Sequence, residues 1–295
     1  RRQRQMCIRD SLNIGVSALS QQIARLENEL AIRLLQRTSR GVTPTSAGLA
    51  FYSQAQLALR HADDAILAAR EARLSGHVSV GMAPSTASVL GVPFINAMRE
   101  SYPDVRLHLV ESLSGNLERM INTRQLDLAI VFQQEKILRW SARPVLEERL
   151  FLIGTHALLA PLQEDHISPD QLTSLPLIMP SQGHGLRGRL EAVCQQHHLS
   201  VEVVADIDGL ALLMQAVRSG LGATLQPGAA ISHLDHQALR VIDVVNPILS
   251  RPNFLVSLSD DELTPAGLAA RVILSKVMRQ LVESDRWPGA TLYAH

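Results

Sequence analysis

A run without proline from Ser46 to Leu74 constrains the fold of this chain more than any other segment. It is rich in alanine and leucine, and Thr45 stands just before it as a helix cap. Such a helix is about twice the average length, and long helices usually reach between domains or to a partner subunit. The sequence therefore predicts a small head before residue 46, a linker or dimerisation helix over 46–75, and a body over 76–295.

The head contains a second helical pattern followed by a short basic turn. Apolar residues recur at helical spacing between Ser17 and Leu35, and Ser17 is a plausible N-cap that lets the first turn present Ser20 and Gln21 outward. The segment 37–44 is rich in turn formers and carries two arginines without an acid, which predicts a hairpin or wing. The apolar positions of the helix are Leu19, Ile23, Leu26, Leu30 and Leu34.

The body shows alternating strand and helix signals, which are typical of parallel sheets wrapped by helices. The pattern predicts strands over 77–82, 105–110, 128–132, 150–153, 177–179 and 201–204. It predicts helices up to about residue 101 and over 116–123, 186–197, 209–219 and 265–284. The predicted fold is thus a multidomain α+β protein with an α/β body.

Charge and composition limit the functional classes. Lysine plus arginine and aspartate plus glutamate both number 28, so the chain as a whole is not built around nucleic acid. The local excess of Arg33, Arg37 and Arg40 instead suits one phosphate-facing end. Two cysteines, Cys7 and Cys194, are too few for a disulfide framework.

The first ten residues do not predict export from the cytoplasm. Residues 1–10 lack the apolar stretch of an export signal, and no apolar run is long enough for a membrane span. Met6 to Asp10 looks like a translated adapter end, so we expect 1–10 to be a non-native arm and functional residues to start near Ser11. We expect a cytoplasmic protein with no membrane partner.

Several motifs resemble the LysR family of transcription regulators. The head carries ALSQQIARLE over 18–27, RLLQR over 33–37 and GVTPT over 41–45, and the body carries LSGHVSVG over 74–81 and QLDLAI over 125–130. The resemblance covers the chain from about Leu12 onward. Within that family, 74–88 and 150–155 are most similar to nitrogen assimilation control regulators.

The resemblance implies a winged helix-turn-helix over 11–45 with its recognition helix in the major groove of promoter DNA. By residue matching, Ser17, Ser20 and Gln21 would contact bases, and Arg37 and Arg40 the phosphate backbone. Val16 departs from the polar residue of many relatives. Because the family's first helix would precede Leu12, we expect only a partial helix-turn-helix.

The same resemblance implies a body of two α/β lobes of the periplasmic-binding-protein type. Lobe one would comprise 78–153 and 257–295, and lobe two 154–256, with a small effector in the cleft between them. Ser85 and Thr86 lie at a strand-to-helix turn that favours an anion. Matching positions add Ser114, Phe132, Ser181 and Thr224. The family also implies a dimer or tetramer and RNA polymerase as a partner, without a cofactor.

Other readings of the sequence stay open. Residues 183–188 fit G-x-G-x-x-G, with Glu202 about twenty residues later, which alone would suggest a nucleotide-binding enzyme. Arg187 in that loop could instead approach an acidic effector. A periplasmic-type solute-binding module shares the two-lobed plan. His197, His198, His233 and His236 lack a third metal ligand at convincing spacing, and no nucleophile or base can be named.

Overall fold

The computed structural model describes residues 16–38, 41–70, 74–132, 140–182, 185–231, 237–259 and 262–293. The chain divides into two compact units, Arg1–Leu59 and Arg60–His295. The expected non-native arm over 1–10 and Arg40 lie outside the described residues. No described helix is long and apolar enough to cross a membrane.

The first unit contains helix α1 (Val16–Leu30), the antiparallel hairpin of β1 (Leu35–Thr38) and β2 (Gly41–Pro44), and the first part of α2 (Ser46–Arg70). The predicted wing over 37–44 is this hairpin. The predicted end of the first helix at Leu35 is wrong. Ala31 adopts a left-handed conformation with φ of 51°, and the Ile32 N–H donates to the Glu27 carbonyl, so the helix closes there.

Side chains from both helices hold the start of the hairpin. Glu27 Oε1 accepts the N–H groups of Leu34 at 2.8 Å and Leu35 at 2.9 Å, which lowers the pKa of Glu27. Thr45 Oγ1 accepts the Gly48 N–H at 2.9 Å, as the predicted helix cap requires. Gly48 is needed because an added Cβ would lie 2.0 Å from the Leu34 carbonyl oxygen.

The second unit contains most of the regular structure. Its strands are β3 (Gly76–Met82), β4 (Val105–Glu111), β5 (Leu128–Val131), β6 (Ser141–Thr155), β7 (His166–Ile167), β8 (Pro176–Met179), β9 (Glu202–Asp206), β10 (Thr224–Pro227), β11 (Leu239–Val244), β12 (Ser250–Ser257) and β13 (Ala290–Leu292). Its helices are α3 (Pro84–Ser101), α4 (Ser114–Asn122), α5 (Gly185–Gln196), α6 (Leu210–Arg218) and α7 (Pro265–Glu283), with short 3-10 turns over Pro169–Ser174 and Gly228–Ala230.

Two long strands carry the chain between two lobes. The first part of β6 pairs with β12 and β13, and from Leu150 onward β6 pairs with β10 and β11 of lobe two. Strand β12 returns the chain from Ser250 and pairs with β5 of lobe one. The partner changes therefore lie at Arg149 and Ser250, a few residues earlier than the predicted lobe boundaries at 153/154 and 256/257.

The sheet is mixed rather than parallel throughout, which corrects the expectation from alternating elements. Strands β3, β4 and β5 are parallel, as are β8 and β9, but the crossing strands pair antiparallel with their neighbours. Antiparallel pairing follows because β6 and β12 run in opposite directions between the lobes. Each lobe has its own apolar core, around Phe94 and Leu274 in lobe one and around Leu152 and Leu177 in lobe two.

Candidate functional site

Helix α1 exposes a polar face. Ser20, Gln21, Ala24 and Arg25 are exposed and follow each other at helical spacing, whereas Leu19 and Ile23 are half-buried. The Arg25 guanidinium donates from Nε to Glu29 Oε1 at 2.9 Å, and both side chains remain largely exposed. Short polar groups and one cation thus share the outer face of this helix, and Arg25 was not singled out from the sequence.

Of the other three residues predicted to contact DNA, the structure describes the backbone positions of two, Ser17 and Arg37. Ser17 lies inside α1, which begins at Val16, so it does not stand before the helix as an N-cap. Arg37 belongs to β1, opposite Val42 in the hairpin register. Arg40 follows that strand and lies outside the described residues.

A cleft lies between the two lobes of the second unit, and its space, including the part open to solvent, measures about 390 Å³. Most of its walls are apolar. Four polar side chains interrupt them: Ser85 and Arg251 on the side of lobe one and the crossing strand, and Asp208 and Gln226 on the side of lobe two. Such a site suits a small molecule with few polar groups.

Arg251 is the central side chain of this cleft. It is 3% exposed, its Nη2 donates to Ser85 Oγ at 2.9 Å, and its guanidinium carbon lies 3.7 Å from the centre of the Phe132 ring. Its Nε and Nη2 both lie 2.9 Å from Glu148 Oε2. Burial lowers the pKa of Arg251, and Glu148 opposes that shift, so the guanidinium stays charged.

Glu148 is the buried counter-ion of Arg251. It is completely buried, and its Oε1 accepts the Ala229 N–H at 2.7 Å and Trp287 Nε1–H at 2.8 Å. Each carboxylate oxygen therefore has a donor, which a buried charge requires. Ala229 follows β10 but packs in the apolar core of lobe one, as Trp287 does, so Glu148 ties the crossing strands to the core of lobe one.

The structure brings two of the six predicted effector residues, Ser85 and Phe132, to the wall of the cleft. The other four are neighbours of wall residues. Ser181 donates from N and Oγ to Asp208 Oδ1 at 2.9 and 2.8 Å, and Thr224 Oγ1 accepts from Gln226 Nε2 at 3.3 Å. The remaining two, Thr86 and Ser114, have buried hydroxyls that bond to none of the described residues.

Sequence reasoning missed Arg251, Glu148, Asp208 and Gln226. One signal was present: in β6, Leu146, Glu148, Leu150 and Leu152 occupy alternating positions, so period-two alternation places Glu148 on the buried face. Arg251 carried no such signal because it stands beside Pro252 in a strand that the periodicity did not identify.

The glycine-rich loop does not have the surroundings that dinucleotide binding needs. Glu202 pairs with Pro176 at the start of β8, whereas the loop follows Met179 at the end of that strand. In a nucleotide fold the acid belongs at the strand end next to the loop. Arg187 also does not point to an effector role, because its guanidinium contacts Glu191 at 2.7 Å and Asp206 at 3.2 Å.

The histidines form no metal site within the part of the chain that the structure describes, where no three metal-ligating side chains cluster. His197 follows α5, and His198 has a left-handed backbone at the turn after that helix. His233 and His236 lie outside the described residues.

Comparison with protein families decides the assignment. Residues 71–279 match the model of the LysR substrate binding domain, and residues 10–49 match the bacterial regulatory helix-turn-helix protein of the lysR family. The chain belongs to the LysR family. It is therefore a LysR-type transcription regulator with a DNA-binding head and an effector-binding body, and the two lobes are those of a periplasmic-binding-protein-like domain.

Individual relatives support the assignment of this chain to the LysR family. It is 33% identical over 288 residues to the nitrogen assimilation regulatory protein nac of Escherichia coli K12, covering 94% of this chain and 91% of the relative. It is 27% identical to the hydrogen peroxide-inducible genes activator of Haemophilus influenzae, covering 84% and 83%. A full-length OxyR variant from Pseudomonas aeruginosa superimposes with a TM-score of 0.75 at 19% identity, covering 97% and 92%, which supports the fold.

Proposed function

We propose that this regulator responds to a small ligand that places an acceptor group, such as a carboxylate, against Ser85 and Arg251. The observation that carries this proposal is the guanidinium of Arg251, which lines the cleft with donors left over after its bonds to Glu148 and Ser85. Ser85 lies in the first turn of α3, where free N–H groups and the helix dipole also favour an anion.

The head would read promoter DNA through the exposed face of α1. Gln21 is suited to adenine, Ser20 to several bases, and Arg25 one turn further on to guanine or phosphate. Ser17 in the same helix and the wing residues Arg37 and Arg40 complete the proposed contact set. The wing arginines would bind the backbone and so position the helix without reading sequence.

Self-association would run through α2. Leu49, Tyr52 and Leu59 are 56%, 59% and 68% exposed and share one helical stripe. A two-fold pair of such helices would cover the stripe and present two heads to inverted half-sites. In this proposal the protein acts in the cytoplasm as a dimer or tetramer, contacts RNA polymerase at the promoter, uses no cofactor and catalyses no reaction.

Ligand binding would act on the spacing of the heads by changing how the lobes are held together. Arg251 lines the cleft and pairs with Glu148 on the strand that crosses between the lobes, and Glu148 in turn bonds to Ala229 and Trp287 in the core of lobe one. A ligand that prefers one arrangement of the lobes shifts the population toward it.

A gel shift of the full chain on the DNA upstream of its own gene tests the regulator function. We expect binding that weakens steeply as salt rises, and a loss of about 1–3 kcal/mol of binding free energy for Gln21→Ala. Gln195→Ala, which changes another exposed glutamine on α5, is the matched control and should bind normally. Absence of binding at low salt, or equal binding by both variants, would contradict the proposed DNA contact.

A further inference from the structure

The 3-10 turn Gly228–Ala230 packs in the opposite lobe from the strand that leads into it. Leu225 of β10, before the turn, and Ile231, directly after it, pack in the apolar clusters of lobe two. Ala229 between them is fully buried in the apolar core of lobe one. The turn is therefore a third connection between the lobes, in addition to the crossing strands β6 and β12.

The seat of this turn leaves no room for a side chain at Gly228. An added Cβ would lie 1.6 Å from the Pro288 carbonyl oxygen and 3.3 Å from Cε2 of Phe151, whereas ordinary van der Waals contacts are 3.4–4 Å. Pro288 lies between α7 and β13, so its backbone belongs to lobe one. The turn and lobe one thus approach each other so closely that only glycine fits at this position.

Both main-chain polar groups of Ala229 bond to side chains outside lobe two. Its N–H donates to Glu148 Oε1 at 2.7 Å, and its carbonyl oxygen accepts from Ser88 Oγ of α3 at 3.0 Å. Main-chain groups inside an apolar core need such partners, because there is no water to replace them. The two bonds therefore hold the turn in its seat, in addition to the packing of the Ala229 methyl group.

The two bonding partners of Ala229 also lead to the cleft. Ser88 Oγ lies 2.6 Å from the carbonyl oxygen of Ser85, and Glu148 pairs with Arg251 at 2.9 Å. Arg251 in turn donates to Ser85 Oγ at 2.9 Å. These bonds close a ring that contains both the turn and the cleft wall, and a ligand that accepts hydrogen bonds from Ser85 and Arg251 acts on two members of this ring.

We infer that the turn 228–230 is a strap that locks lobe two to lobe one, and that the effector changes the arrangement of the lobes by changing how this strap is seated. The regulatory half of this inference rests on the proposed function of the cleft as the effector site. Two crossing strands alone form a hinge that bends, whereas a third attachment beside them resists bending. Because packed interiors move between discrete arrangements, a change in the seat of Ala229 acts as a switch.

Hydrogen exchange of the full-length protein, followed by mass spectrometry, tests the strap. In the parent protein, peptides that cover 228–231 should exchange as slowly as those around Leu274 in the core of α7, although surface turns exchange quickly. Ser88→Ala removes the donor to the Ala229 carbonyl and should raise the exchange rate of 228–231 about tenfold, with α7 unchanged. Ser275→Ala is the matched control, because its hydroxyl donates to the Arg271 carbonyl within α7 at 2.9 Å. It should leave the exchange of 228–231 unchanged.

Gly228→Ala tests the seat of the turn more severely. The new Cβ does not fit against Pro288, so the turn must leave its seat, and the exchange rate of 228–231 should rise more than it does in Ser88→Ala. Gly188→Ala, where an added Cβ meets nothing within 4 Å, is the control and should exchange like the parent. If Gly228→Ala does not fold, the result for Ser88→Ala decides the strap.

Footprinting of Ser88→Ala and Gly228→Ala on the promoter DNA tests the regulatory half. Both variants should still bind, and both should protect a stretch of DNA whose length differs from that protected by the parent. The reason is that a released strap shifts the population of lobe arrangements without a ligand. Ser275→Ala should protect the same stretch as the parent.

Fast exchange of 228–231 in the parent, or unchanged exchange in Ser88→Ala, would overturn the strap. An unchanged footprint from a variant whose turn exchanges faster would overturn its regulatory role. Failure of the proposed regulator function is a different result, because the parent protein itself would then not bind its promoter DNA. The exchange experiment would still decide the strap in that case, since it uses no DNA.

Discussion

Arg251 and Glu148 are partners in the register of the two strands that cross between the lobes, and their side chains form a buried ion pair with Nη2 and Oε2 2.9 Å apart. Their main chains carry the polypeptide from one lobe to the other. Because Arg251 also donates to Ser85 in the cleft, the cleft wall and the crossing strands form one hydrogen-bonded unit. A ligand that contacts Arg251 acts where the lobes are joined.

Glu148→Gln should strongly destabilise the body. The substitution leaves the Arg251 guanidinium buried without a counter-charge, and breaking a buried pair from one side costs about 3–5 kcal/mol. Thermal unfolding followed by tryptophan fluorescence measures this, since Trp287 donates directly to Glu148. Glu283→Gln, at an exposed site on α7, is the control. A body of unchanged stability would show that the ion pair is not held as described.

Gly48→Ala should disrupt the head and leave the body intact. The new Cβ would lie 2.0 Å from the Leu34 carbonyl oxygen, a backbone atom that also accepts the Thr45 N–H at 2.9 Å. Forcing such a group into a packed site costs about 1–3 kcal/mol or more. We expect loss of DNA binding in a gel shift with unchanged melting of the body.

The control for this substitution is Gly188→Ala in α5, where an added Cβ meets nothing within 4 Å. Alanine is a better helix former than glycine, so this variant should be as stable as the parent or slightly more so. Normal DNA binding by the Gly48→Ala protein would contradict the close approach of α2 to Leu34.

Tyr293 should ionise at unusually high pH. Burial and its hydrogen bond to Glu147 raise the pKa of Tyr293 to about 12, above the usual 10.0. A raised pKa in the folded protein gives stability that is complete below pH 10 and is lost as pH rises toward 12. The phenolate absorbance in an alkaline titration should therefore show a late step, which Tyr293→Phe removes and Glu147→Gln moves to lower pH. An unchanged titration in both variants would contradict the hydrogen bond between Tyr293 and Glu147.

Cys194 should not react with hydrogen peroxide in the folded protein. It is 7% exposed in the core of lobe two, and burial, followed by the nearby Glu191, raises the pKa of its thiol. Peroxide oxidises the thiolate, so both effects slow the reaction. Mass spectrometry after peroxide treatment of a Cys7→Ser background should find Cys194 unmodified when folded and oxidised in urea. Oxidation of Cys194 in the folded protein would contradict the burial of its thiol.

Local patterns were reliable where an element buries one face along its own length. Helix α7 was predicted over 265–284 and extends over Pro265–Glu283, and strand β3 was predicted within one residue. Helix α1 was predicted too long because Leu34 continues the apolar spacing. Leu34 is buried, but it lies beyond the end of the helix. The chain turns at Ala31, and the Leu34 N–H then donates to the Glu27 carboxylate.

Strand β12 shows why other parts of the fold could not be predicted from the sequence. Ser250, Arg251, Pro252 and Asn253 have the composition of a loop, yet they pair with β6 from Leu146 to Arg149, and the register shifts only after Asn253. The partner strand is about a hundred residues away, and a buried arginine is stable only when that partner provides a carboxylate. No pattern within the segment itself contains this information.

The sequence by itself determined the family, the helix-and-wing head, the long helix and the two-lobed plan, because these follow from short-range spacing and from motifs contiguous in the chain. It also identified Ser85 and Phe132 as candidates for the cleft. Only the tertiary structure decided that Arg251 and Asp208 line that cleft and that Glu148 pairs with Arg251 there. Their roles depend on burial and on contacts between residues distant in sequence, and those arise only when the crossing strands bring both lobes together.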